Sequence, residues 1–296
     1  MIEFIENENI RVKIKVIGAE LCGIFHKKNE IEYIWQANEP WKKYAPILFP
    51  IVGQLKNNTY HFKKETYTLP RHGFAREKLF RLAFITPNEI HFEISDDEIT
   101  LPIYPFYFHL LVKYLLAEDD TLHITYEITN RSSEAIYFSI GGHPAFNVPL
   151  SESENFEDYF IQFNEKENLR CFPLQDGLLQ TKSLQLDSKN IDTEENLPTI
   201  KLSKELFDKD ALVFKNLKSK EISIRNKKNN HSVTMNFDGF KYFGIWSAKN
   251  ANFVCLEPWL GIADNLDSSQ QLIEKEGIII LPAQEVFKCT YSIKVK

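Results

Sequence analysis

Phe287-Lys288-Cys289-Thr290-Tyr291-Ser292-Ile293-Lys294-Val295-Lys296 closes the chain and alternates apolar with polar residues without a break. A period of two puts Phe, Cys, Tyr, Ile and Val on one face and Lys, Thr and Ser on the other, the pattern of a half-buried antiparallel strand. The alternation recurs at Leu122, Ile124, Tyr126 and Ile128, after the turn signal Glu118-Asp119-Asp120, and at Val12, Ile14 and Val16. Strand-like runs also cover 108–116, 136–140, 222–225, 233–237, 243–246, 253–256 and 278–281. Many short strands with turn signals between them predict an all-β protein, a large antiparallel β-sandwich, and argue against a βαβ fold.

Helical signals are few: one short turn is expected at 203–207 and another within 35–44, before Pro46. The polar stretches 151–158, 164–168 and 187–195 read as surface loops. No internal repeat or low-complexity segment divides the chain, so residues 1–296 are expected to form a single domain. All-β domains of this length are common enough to need no second unit. The 23 phenylalanines and 12 tyrosines suit strands.

A net charge of −6 with interspersed lysines and acids offers no basic stripe, so nucleic acid is not an expected partner. The N-terminus, Met1-Ile2-Glu3-Phe4-Ile5-Glu6-Asn7-Glu8-Asn9, is acidic and lacks the pattern of a signal peptide. No apolar run approaches the roughly 18 residues of a membrane span. Cys22, Cys171, Cys255 and Cys289 show neither a C-x-x-C pair nor a framework spacing. These features predict a cytoplasmic protein with reduced thiols.

Three phrases set an ionisable side chain beside a backbone constraint and an aromatic ring: Arg71-His72-Gly73-Phe74-Ala75-Arg76, Gly141-Gly142-His143-Pro144-Ala145-Phe146, and Cys255-Leu256-Glu257-Pro258-Trp259-Leu260-Gly261. His143 and Glu257 each precede a proline, which biases their backbone toward the extended region. Histidine titrates near neutrality and suits proton transfer. Glu257 follows the apolar run Phe253-Val254-Cys255-Leu256, at the expected end of a buried strand; there it either has a salt-bridge partner or has its pKa raised by desolvation. Trp259 could offer a ring face to a sugar or belong to the core. The six other histidines, His26, His61, His91, His109, His123 and His231, lack such neighbours and read as ordinary polar or packing groups. H-x-H, H-E-x-x-H, G-x-S-x-G, G-x-G-x-x-G and Walker patterns are all missing, so no metal, serine nucleophile or nucleotide cofactor is expected.

Taken together, Pro46-Ile47-Leu48-Phe49-Pro50-Ile51-Val52-Gly53, His72-Gly73-Phe74-Ala75-Arg76, Gly141 to Phe146, Leu206-Phe207-Asp208-Lys209-Asp210-Ala211-Leu212 and Glu257-Pro258-Trp259 resemble the aldose 1-epimerase (galactose mutarotase-like) family, and its LacX-type branch most. The resemblance implies a galactose mutarotase-like supersandwich with its site in a cleft. It implies an isomerase that interconverts the α and β anomers of a hexose without a cofactor, its partner a small-molecule sugar. His143 then matches the general acid on the ring oxygen and Glu257 the general base on the anomeric hydroxyl. His72 matches the second histidine that holds and polarises the sugar. Asp210 matches an aspartate on the sugar hydroxyls, with Asp208 as the alternative register. Gln54 stands where the family has an arginine in contact with the sugar, and it can still hydrogen-bond but carries no charge. Arg71 and Arg76 flank His72 and could instead clamp a phosphate, which would make the substrate a hexose 6-phosphate. A non-catalytic carbohydrate-binding protein of the same fold is the remaining alternative.

Overall fold

In the computed structural model, which describes every residue from Met1 to Lys296, the closing alternation is a strand, Val286–Val295, inside a ten-stranded sheet. From edge to edge that sheet runs Ile191–Glu194, Leu197–Lys201, Tyr159–Phe163, Glu221–Asn226, Ser232–Asn236, Val286–Val295, Thr121–Asn130, Phe108–Leu116, Glu89–Ser95 and Arg81–Ile85, every neighbour antiparallel. In Thr121–Asn130 every second residue is buried, as the period of two requires. There is no α-helix; the helical turns are all 3-10.

A second sheet lies beneath it, ordered Leu212–Lys215, Tyr242–Trp246, Phe253–Leu260, Ile140–Gly142 and Ile47–Leu48, with Ala145–Asn147 also paired to Phe253–Leu260. Its central strand is buried from Phe253 to Trp259, because both of its faces are covered. Val254 and Leu256 join Phe243, Ile245 and Phe146 in the main core with Phe108, Tyr126 and Tyr291 of the large sheet. Phe253, Cys255, Glu257 and Trp259 therefore point to the opposite side. A hydrogen bond from Leu256 N–H to Pro144 O bridges the gap between the two short strands that share this neighbour.

A four-stranded sheet, Ile2–Glu6, Ile10–Lys15, Glu20–His26 and Ile31–Glu32, forms the N-terminal part. Its first strand lies in the acidic start of the chain, where charge masked the alternation. The expected turn at 203–207 is the 3-10 segment Lys204–Phe207. Three local expectations differ. Residues 35–44 contain no helix, the side chains of Trp35 and Trp41 packing on Phe253 instead. The stretch 187–195 contains the edge strand Ile191–Glu194, whose polar sequence suits an edge but disguises a strand. The strand holding Glu257 does not end at Pro258 but continues to Leu260.

Candidate active site

Strand register brings the two central side chains together. Gly141 pairs with Trp259 and Ala145 with Cys255, so one unbroken register sets His143 opposite Glu257. Alternation places both on the face turned away from the main core. The result is a His143 Nε2 to Glu257 Oε2 distance of 3.1 Å in a buried setting. The angle is not that of a hydrogen bond, since Glu257 Oε2 and His143 Nδ1 both lack a protein partner.

These groups form part of the wall of a cavity of about 520 Å³. Of the residues expected from sequence, His72, Arg76, His143, Asp210, Glu257 and Trp259 all line it. Asp208 is exposed and does not. Gln54 is not a lining residue either: its side chain leans on Gly177, where an added Cβ would come 2.4 Å from Gln54 Oε1. Gly177 itself lines the wall, so the amide stands behind the backbone rather than in the space where the resemblance placed a sugar contact.

Burial dominates the electrostatics. It raises the Glu257 carboxyl well above the ordinary carboxylate range; the charge of Arg71 opposes this, Asp210 reinforces it, and the Trp259 indole N–H, near but not aligned for a hydrogen bond, opposes it weakly. Burial pushes His143 down to about 3, a contact with its own backbone opposing and the charges of Arg71 and Arg76 assisting. In the free protein burial thus drives both groups toward their neutral forms.

His72 has a fixed tautomer. The Gly53 N–H donates to its Nδ1 at 3.1 Å, and the His72 N–H donates to Gly53 O at 2.8 Å. With Nδ1 accepting, the proton of the neutral ring sits on Nε2, which has no protein partner. Burial, His143 and the two arginines keep the ring neutral. His72 itself adopts φ 68°, a left-handed conformation uncommon outside glycine. The ring is a stationary hydrogen-bond donor.

Trp259 serves both roles left open by the sequence, lining the cavity and packing with Leu48, Val52, Tyr242 and Ile262. Its indole lies over two positions that carry no side chain. A Cβ on Gly141 would meet the ring at 2.7 Å and one on Gly244 at 2.6 Å.

Several lining residues had no signal in the sequence. Trp41 and Trp246 close one end, Lys249 adds a cation, and Ile262 and Ala263 form a wall held from behind by a buried ion pair. Lys275 Nζ lies 2.8 Å from Asp264 Oδ1 and donates to Ile262 O. Only tertiary contact joins them. His143, Cys255 and Glu257 each bring a potential ligand atom within 4.8 Å of the others. Burial holds the Cys255 thiol far up, however, and a protonated thiol fits a metal poorly.

The aldose 1-epimerase family model matches residues 1–291. Protein LacX, chromosomal, of Lactococcus lactis subsp. lactis is 32% identical over 302 residues, covering 98% of each chain. A galactose mutarotase related enzyme from Lactobacillus acidophilus superposes with a TM-score of 0.91 at 36% identity, over 100% of this chain and 97% of that one. A galactose mutarotase-like protein from Lactobacillus casei ATCC 334 gives 0.92 at 27% identity over 100% of both.

Proposed function

The chain belongs to the aldose 1-epimerase family, and from that premise we propose that it is itself an aldose 1-epimerase, interconverting the α and β anomers of a hexose by acid–base opening and closure of the ring. The observation that carries this reading is the His143–Glu257 pair, 3.1 Å apart in the wall of a sugar-sized cavity. The anomeric hydroxyl and the ring oxygen are bonded to the same carbon. Two groups side by side can therefore serve both oxygens, and they need not face each other across the sugar.

The reaction moves protons only. Glu257 carboxylate takes the proton of the anomeric hydroxyl while His143 imidazolium gives one to the ring oxygen, and the bond from C1 to that oxygen breaks. The pair is then neutral and the sugar is an open aldehyde. Rotation about C1–C2 presents the other carbonyl face. On closure the roles reverse, as His143 receives the hydroxyl proton and Glu257 protonates the carbonyl oxygen. Charge attraction at 3.1 Å favours the ion pair, and burial favours the neutral pair. Opposing terms of this kind keep the two protonation states close in energy, which a group acting in both directions requires. His72 Nε2–H and Asp210 supply fixed hydrogen-bond groups for the sugar.

The test is anomer exchange, followed by polarimetry or NMR on freshly dissolved hexoses. Glu257→Gln keeps the shape but cannot accept the proton, so turnover should fall roughly 10²-fold or more. Wild-type exchange in that variant would remove Glu257 from the role of base.

A second reading, that the hexose carries a 6-phosphate, is favoured by one specific feature: Arg71, Arg76 and Lys249 all line the cavity, and Arg76 Nε is buried without a partner. An orphaned guanidinium N–H suits an anionic oxygen. Arg76→Ala should then cost about 10-fold or more in kcat/KM for the phosphate ester and leave the free hexose nearly unaffected. Equal losses on both substrates would speak for the free sugar.

A further inference from the structure

His143 is held in an unusual way. Its Nδ1 is buried with no hydrogen-bond partner, so nothing polar fixes the ring on the side away from Glu257. Aromatic rings do so instead. The Trp41 indole stacks on the imidazole at 5.1 Å between centroids and 26° between planes. Trp246 meets it edge-on at 5.8 Å and 88°, and His72 does the same at 5.6 Å and 80°.

Trp41 is itself anchored, although it comes from an irregular segment. The Trp35 indole donates to its carbonyl at 2.9 Å, Phe253 stacks against its ring at 5.4 Å, and Trp246 packs edge-on at 5.6 Å. Close by, Lys43 is tied to Glu77 by a 2.7 Å ion pair. A stacked indole face attracts a cation, so it stabilises an imidazolium more than an imidazole. Around His143 the titratable and charged groups are Glu257, Cys255, His72, Arg71, Arg76 and Lys249. Glu257 is the single one among them whose charge favours protonation of His143, and it gives up that charge during ring opening. The indole keeps its attraction throughout the cycle.

We infer that Trp41 is the positioning residue of His143, orienting the imidazole by its face and favouring the protonated ring that must meet the sugar's ring oxygen. This inference rests on the proposed acid–base reaction for its kinetic part and on the stacking geometry alone for the rest. Phenylalanine keeps a π face at position 41, and leucine keeps bulk without one.

The experiment compares Trp41→Leu and Trp41→Phe by anomer-exchange kinetics, by calorimetric binding of an unreactive 1,5-anhydrohexose, and by NMR titration of the ¹³C-labelled His143 ring. In Trp41→Leu, kcat should fall about 5- to 30-fold with KM and the binding constant changed less than about 2-fold, and the His143 midpoint should move down. Trp41→Phe should recover most of the rate and of the midpoint. Equal losses in both variants, or a loss confined to KM and binding, would overturn the assignment and leave Trp41 as a plain wall for the sugar. If the wild type exchanges no anomers, the proposed reaction fails while the NMR arm still decides the coupling. An unmoved midpoint in Trp41→Leu would then sink it.

Discussion

Glu257 is the residue at which function opposes stability. Its carboxyl is raised by burial, so the folded state binds a proton more tightly than the unfolded chain. For such a group the stabilising contribution is full below the unfolded carboxylate pKa and is lost as pH rises through the folded value. Glutamine does not titrate and escapes this loss. Glu257→Gln should therefore unfold at a higher temperature than wild type at pH 8, by roughly 2–4 °C per kcal/mol relieved, and the gap should close near pH 4. Calorimetric scans across that range check it, and a gap independent of pH would show that the carboxyl is ionised at no cost. His143 has the reverse sign. Its lowered pKa, about 3, makes the protein lose stability as pH falls from the ordinary histidine value toward 3.

At the scale of elements, the strand Phe253–Leu260 carries the design. One face fills the main core and the other lines the cavity, and its neighbours on both sides place glycine where Trp259 lies. Gly244→Ala would press a methyl group to 2.6 Å from the indole and 3.3 Å from Glu257 Cβ. The backbone there has ordinary φ, so the cost comes from overpacking, about 1–3 kcal/mol, together with a shifted Trp259 and Glu257. The expected outcome is a lower unfolding midpoint in denaturant with the same slope, and anomer exchange reduced at least 10-fold. A stable variant with full activity would mean that the indole moves freely.

Across the whole molecule, the last strand joins two halves of the large sheet. Val286–Val295 lies between Thr121–Asn130 and Ser232–Asn236, pairing along nine residues with the former. The first strand, Ile2–Glu6, pairs on one side only. Deleting 286–296 should abolish soluble folded protein, whereas deleting 1–6 should leave a folded chain of reduced stability. Circular dichroism and gel filtration of the two truncations distinguish them. Folding of the shorter C-terminal variant would contradict the central place of that strand. Pairing between residues so far apart in sequence also predicts folding on the slow, millisecond-to-second scale of non-local β topologies.

Strand periodicity is local, and it was legible from single segments: the alternation at 287–296 and at 122–128 corresponds to strands in the middle of the large sheet. It failed where local composition misled, at the acidic start and in the polar edge strand Ile191–Glu194. The residues of the site were legible in part, because proline and glycine beside His143, Glu257 and His72 leave a mark in the chain itself. What pairs with what did not show there. The register that sets His143 opposite Glu257, the withdrawal of Gln54 behind Gly177, and the arrival of Trp41, Trp246 and Lys249 at one cavity depend on residues far apart in sequence. Such contacts are selected by packing and pairing energies summed over the folded molecule, and no short stretch of the chain carries that sum.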